Sequence, residues 1–159
     1  MVNLEIRPAR LSEADATVAL ALRAFDEFIA PDYPNEGIDH FYANVTPDSL
    51  ANAISDGSIV LLATVDGTLA GVVTVRDESH ISWLYVEKAF HARGIGRELI
   101  IRAAAQIRER TPGAKSITLN SSPFAMPIYV RMGFKTTGPE MTKNGMRMIP
   151  MRAGIETFI

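Results

Sequence analysis

Two stretches of this sequence carry residue types at spacings that can do chemistry. The first is His91-Ala92-Arg93-Gly94-Ile95-Gly96-Arg97, which follows the β-branched and aromatic run His80–Val86 and leads into a helical pattern. The first turn of a helix leaves about four backbone N–H groups without partners. Its dipole favours an anion there by roughly 0.3–1 kcal/mol per charge. Gly94 and Gly96 carry no side chain to hold a phosphate away from those amides, and Arg93 and Arg97 add positive charge. The chemistry implied is phosphate or pyrophosphate binding. Neither common nucleotide motif fits: Leu99 stands where a dinucleotide fingerprint needs its third glycine, and no Gly-Lys-Ser/Thr of a Walker loop is present. Taken alone, the two glycines fit a plain strand-to-helix junction equally well.

The second stretch is Asn120-Ser121-Ser122-Pro123, followed by Phe124-Ala125-Met126-Pro127-Ile128-Tyr129 and closed by Gly133-Phe134. Read alone, Tyr129 is a core tyrosine four residues before a helix stop, and Gly133-Phe134 is that stop with an apolar anchor. Asn120 can cap the helix it precedes.

The elements that must position these residues follow from periodicity. Val2–Arg7 reads as a strand. Ser12-Glu13-Ala14-Asp15 resembles a capping box, and Leu11, Ala14, Val18, Leu22, Phe25 and Ile29 mark one apolar helix face. Ile38–Asn44 suggests a short helical turn, and Thr46-Pro47 starts a helix that Gly57 ends. Ile59–Val65 and Leu69–Val75 read as a hairpin across Asp66-Gly67. His80–Val86 is a further strand and Gly94–Arg110 a long helix with Ile95, Leu99, Ala103 and Ile107 on one face. Ile117–Leu119 (strand), Ser122–Met132 (helix), Lys135–Thr137 and Met146–Met151 (strands about Asn144-Gly145) complete the chain. This order predicts a mixed α/β (α+β) fold in one domain spanning residues 1–159.

Composition narrows the function. The net charge of −2 with scattered basic residues gives no nucleic-acid stripe. With no cysteine, disulfides and thiol catalysis are excluded, and His40, His80 and His91 form no close-spaced metal pair. No apolar run approaches a membrane span, and the N-terminus MVNLEIRPAR lacks a signal-peptide core. The expectation is a cytoplasmic protein with no membrane or nucleic-acid partner; a homodimer stays open.

With both stretches in view, the sequence resembles the GNAT (Gcn5-related N-acetyltransferase) superfamily, in an unassigned bacterial-type subgroup. Val86 followed by His91-Ala92-Arg93-Gly94-Ile95-Gly96 is similar to the family's Gln/Arg-x-x-Gly-x-Gly/Ala turn, with His91 departing from the usual Gln or Arg. Ala125, Tyr129, Gly133 and Phe134 match the spacing of its second signature. The resemblance covers nearly the whole chain. It implies a mostly antiparallel central sheet of about six to seven strands flanked by about four helices.

The resemblance further implies an N-acetyltransferase that moves an acetyl group from acetyl-CoA, as co-substrate, to a primary amine by direct attack, with no metal. The acceptor is a small-molecule or peptide amine. A non-catalytic CoA-binding or regulatory protein on the same fold is the alternative. By the same resemblance, Leu84, Tyr85 and Val86 hold the pantetheine arm and thioester oxygen. His91, Ala92, Arg93, Gly94, Ile95, Gly96 and Arg97 hold pyrophosphate, Asn120 bonds the CoA chain, and Tyr129 contacts the cofactor and protonates the departing sulfur. Many relatives carry a glutamate in the strand before the turn, but Ile81–Val86 has no carboxylate. Glu78 and His80, just upstream, can each act as base directly or through water, or be solvated surface groups. Tyr85 is a further candidate base, and Trp83 and Tyr85 can equally line the acceptor pocket or pack in the core. Phe25–Tyr42, expected to wall the acceptor side, holds Asp26, Glu27, Asp32, Glu36 and Asp39 among aromatics. That composition predicts a cationic acceptor without a nearby carboxylate; the acids can equally be solvated surface and the aromatics core.

Overall fold

In a computed structural model, which describes residues 3–159, Asp66 and Gly67 both take left-handed conformations (φ 49° and 82°). They fold β2 (Ile59–Val65) onto β3 (Thr68–Arg76) as the Asp-Gly turn predicts. β1 (Leu4–Pro8) pairs antiparallel on the outside of β2. Val2, placed by the sequence at the start of that strand, lies outside the described residues. β4 (His80–Val86) pairs with β3, and β5 (Ser116–Ser121) meets β4 in parallel. β8 (Met146–Gly154) lies between β5 and β6 (Lys135–Thr136), while β7 (Met141–Lys143) pairs with its first residues.

The fold is therefore mixed α/β with a mostly antiparallel sheet, as expected, but the described residues form eight strands rather than six to seven. The extra one is β7, whose three residues are all exposed. With neither face buried it has no hydrophobic alternation to read, and only the left-handed Asn144-Gly145 turn creates it.

Among the described residues five α-helices cover the sheet rather than four. α1 (Ala14–Ala24), α2 (Asn35–Asn44) and α3 (Pro47–Ser55) lie on one face, where Leu20, Phe25, Phe41, Leu50, Leu62 and Val72 form a core. α4 (Ile95–Arg110) covers the other with Ile95, Leu99, Ala103 and Ile107, all at most 3% exposed, and α5 (Met126–Met132) packs partly beside it. Burying each of these isoleucine and leucine side chains contributes about 1.5–3 kcal/mol, and Ala103 less. The fifth helix is α2, a full three turns where the sequence suggested one turn from Ile38. Its Gly37 presses on the Gly145 backbone, and a Cβ on either glycine would overlap the other residue. No helix among the described residues is long and apolar enough to cross a membrane.

Three boundaries differ from the sequence reading. The cap expected at Ser12–Asp15 lies earlier: Glu13 accepts from the Arg10 amide (2.9 Å) and binds both Arg7 guanidinium nitrogens (2.8 and 2.7 Å). The first apolar helix stops at Ala24 and widens into a π-turn over Phe25–Ile29, where Phe25 stacks on Phe41 at 3.7 Å. α5 begins at Met126 because Ser122–Ala125 forms a turn, with the Ser122 hydroxyl accepting from the Ala125 amide (3.2 Å).

Candidate active site

β4 and β5 pair only at His80↔Thr118 and Ile81↔Leu119, then separate. A bulge in β4 prepares this. Thr74 pairs with Trp83 and Val75 with Ile81, leaving Ser82 as an extra residue whose hydroxyl lies 2.7 Å from that of Thr74. Beyond the bulge the facing reverses. Ile81, Leu84 and Val86 pack toward the α4 side, Trp83 and Tyr85 toward the α1–α3 side.

The backbone follows the same alternation. The Glu87 amide donates to the Ala70 carbonyl of β3 (2.8 Å). By the two-residue period, Leu84 and Val86 aim their N–H and C=O groups away from β3, into the gap. The Val86 carbonyl indeed accepts from His91 Nε2 at 2.8 Å.

Two clefts meet where the strands part. One, of about 440 Å³, runs from Leu84 and Val86 to the turn at His91–Arg97 and to Ile128 on α5. The other, of about 500 Å³, is lined by His40, Arg76, His80, Trp83, Asn120 and Arg147 among others. Ile29, Leu84, Tyr85, Ala125 and Tyr129 line both.

The glycine turn has the form an anion needs. His91 is extended (φ −64°), Ala92 left-handed (φ 61°), and Gly94 left-handed again (φ 76°) as the residue that caps α4. The first helical bond runs from Glu98 N to Gly94 O (3.0 Å), so the amides of Ile95, Gly96 and Arg97 have no partner within the helix. A Cβ built on Gly94 would meet no atom within 4 Å, so the mouth of the turn is open space. Three unpartnered amides at a helix N-terminus that faces open space can bind an anion such as a phosphate.

Residues 29–155 match the family model described as "Acetyltransferase (GNAT) domain". The chain is a member of the GNAT family. No curated protein matches its sequence. Solved structures share the fold at low identity. A GCN5-related N-acetyltransferase from Rhodopseudomonas palustris is 23% identical with TM-score 0.78, covering 94% of each chain. PaiA N-acetyltransferase from Thermoplasma acidophilum, in complex with coenzyme A, is 20% identical with TM-score 0.78 over 96% of this chain and 99% of its own. The ribosomal-protein-S18-alanine N-acetyltransferase from Escherichia coli is 17% identical with TM-score 0.66 over 96% and 94%.

Within this GNAT domain most of the residues singled out by sequence converge. Tyr129 packs edge-on against Phe134 (5.6 Å), which the left-handed Gly133 (φ 111°) turns inward. Burial alone raises the Tyr129 hydroxyl well above the usual tyrosine range, with no hydrogen bond contributing. Burial, then the neighbouring tyrosines Tyr129 and Tyr33, raise Tyr85 in the same way. His80 is half-buried in the wider cleft, its Nδ1 2.8 Å from the Thr118 hydroxyl. Burial and then Arg76 hold its imidazole below the ordinary value of 6.5, Asp77 opposing.

Other expected residues lie elsewhere. Glu78 occupies the exposed β3–β4 turn at φ 69° and lines neither cleft. Asn120 borders the wider cleft, not the one leading to the glycine turn. Arg93 folds over Phe90 (5.3 Å) outside both clefts, and Arg97, which lines the narrower one, lies over Phe158 (5.8 Å). The expected acidic wall does not form. Asp26 bonds the Tyr42 hydroxyl, Glu27 pairs with Lys88 (2.8 Å), and Asp32, Glu36 and Asp39 are exposed and line neither cleft. In their place stand Arg76 at the end of β3, Arg147 on β8 and His40 on α2. No local spacing could announce these three, because three distant elements bring them together.

Proposed function

We propose that this protein moves an acetyl group from acetyl-CoA to a primary amine by direct attack, without an acyl-enzyme. The observation that carries the reading is the meeting of two clefts at Leu84, Tyr85, Ala125 and Tyr129. A donor and an acceptor can reach one point from opposite sides of the parted strands. Family membership supports acetyl-CoA as the donor, as do relatives of the same fold, one of them in complex with coenzyme A.

Each residue has a task in this reading. The amides of Ala92–Arg97 hold the pyrophosphate. The Leu84 and Val86 backbone holds the pantetheine arm, so the His91–Val86 contact must yield or be shared when the arm arrives. Acetyl-CoA supplies a carbonyl carbon bonded to a good leaving group. Fixed N–H groups of β4 stabilise the negative charge that gathers on that carbonyl oxygen. An alkyl ammonium with a pKa near 10.4 must first lose a proton. His80, uncharged at neutral pH, takes it directly or through water. As the C–N bond forms and the C–S bond breaks, Tyr129 gives its proton to the sulfur, and the second proton leaving the nitrogen returns to Tyr129 through water, while the first passes from His80 to solvent.

The test is twofold. Acetyl-CoA, but neither ATP nor NAD, should raise the melting temperature; a ligand at one hundred times its Kd adds about 2.7 kcal/mol. Amines from a small-molecule and peptide library should then release free thiol from acetyl-CoA. Absence of acetyl-CoA binding refutes the proposal. Binding with no amine-dependent thiol release leaves the non-catalytic CoA-binding alternative.

A further inference from the structure

The wider cleft, on the acceptor side, has cationic but no acidic side chains in its wall, each arginine being paired with a carboxylate just outside it, Arg76 with Asp77 and Arg147 with Glu140. Arg76 and Arg147 line it, His40 and His80 add donors, and no aspartate or glutamate is among the described residues of its wall. Asp26 and Glu27 line a separate recess with Arg23, Glu87 and Lys88. Arg147 is held in place by Glu140, which takes its Nε and one Nη at 3.0 Å each. Arg76 spends one nitrogen on Asp77 and keeps the rest of its guanidinium free. Phe41, Trp83, Met146 and Met148 supply the apolar part of the same wall.

A guanidinium matches a carboxylate in shape and can bind both its oxygens. A cleft lined by one sign of charge concentrates molecules of the opposite sign. The same cations repel an ammonium, so a polycationic acceptor meets an unfavourable field, while an amine tethered to a carboxylate is drawn in and its neutral form favoured. We infer that the acceptor is a primary amine that also carries a carboxylate and an apolar body, its carboxylate recognised by Arg76 with Arg147 behind it. This rests on the acetyl-transfer reading, names the substrate class for that site, and reverses the cationic acceptor expected from the Phe25–Tyr42 composition.

The test uses matched pairs on the full chain: phenylalanine against phenethylamine, and leucine against 3-methylbutylamine. Binding is read by calorimetry without acetyl-CoA, and turnover by thiol release with it. Phenylalanyl-glycine, with its carboxylate one residue further from the amine, separates a peptide terminus from a free amino acid. The carboxylate-bearing members should bind, and react with kcat/KM, at least tenfold better. Arg76→Gln should raise their KM at least tenfold, while the KM values of the decarboxylated amines and of acetyl-CoA each stay within twofold. Equal or better use of the decarboxylated amines overturns the inference. So does an undiminished preference in both Arg76→Gln and Arg147→Gln. If no amine releases thiol, the acetyl-transfer reading fails, and the calorimetric preference still decides the carboxylate.

Discussion

In the proposed reaction Tyr129 and His80 have opposite protonation demands, and their surroundings favour both. Burial keeps the Tyr129 hydroxyl protonated at working pH, so a proton is available to a departing thiolate, although the same shift makes the hydroxyl a weaker acid. Tyr129→Phe keeps the ring and its contact with Phe134, so the fold and acetyl-CoA affinity should hold while kcat falls. A positioned general acid contributes about 10²–10⁴-fold; a kcat within about twofold of wild type, with chemistry rate-limiting, would reduce Tyr129 to packing. For His80 the shift is downward from 6.5. Its neutral, proton-accepting form therefore dominates at neutral pH, and activity should decline only as pH falls below about 6.5 through the lower folded-state value. The same depression contributes stability that is complete above 6.5 and lost as pH falls toward the folded-state pKa. His80→Gln should remove the acid limb from the pH profile of amine kcat/KM; an unchanged limb assigns it to another group.

At the scale of elements, the turn before α4 was legible because its requirement is local. A left-handed residue with a free amide face calls for glycine, and Gly94 at φ 76° meets it. Gly94→Asp adds a left-handed side chain, at about 1–2 kcal/mol, and sets a carboxylate beside the pyrophosphate amides. Acetyl-CoA affinity should fall at least tenfold in calorimetry while the circular dichroism spectrum is retained; unchanged affinity would remove the turn from the binding site. The β4 bulge was not legible. His80–Val86 reads as a regular strand, and its phase reversal at Ser82 exists only through pairing with Thr74 and Val75.

For the whole molecule, the Arg7–Glu13 pair ties β1 to the start of α1 and reports on global stability. The Arg7 guanidinium holds the Glu13 carboxyl well below its ordinary 4.5, at about 2. A depressed carboxylate pKa stabilises the fold above the unfolded value and ceases to do so as protons bind. The contribution is thus complete above pH 4.5 and lost between 4.5 and about 2. Glu13→Gln should lower the urea midpoint at pH 7, and the gap to wild type should close across that window. Equal midpoints at pH 7 would show the pair to be without net effect.

The sequence by itself determined the strand–helix order, the two turn motifs and the family they indicate. Each rests on spacing within one element or on backbone angles that few residue types adopt. Ile95, Leu99, Ala103 and Ile107 could mark a buried helix face without reference to any partner. Which charges line the wider cleft was decided only by the tertiary structure. Asp26 through Asp39 are near the site along the chain, yet the π-turn at Phe25–Ile29 and the pairs with Tyr42 and Lys88 turn the first of them outward. Arg76 and Arg147, far apart in sequence, reach one cleft because β3 and β8 flank the gap that β4 and β5 open. Side-chain direction across a sheet depends on register, and a single extra residue in β4 is enough to reverse it.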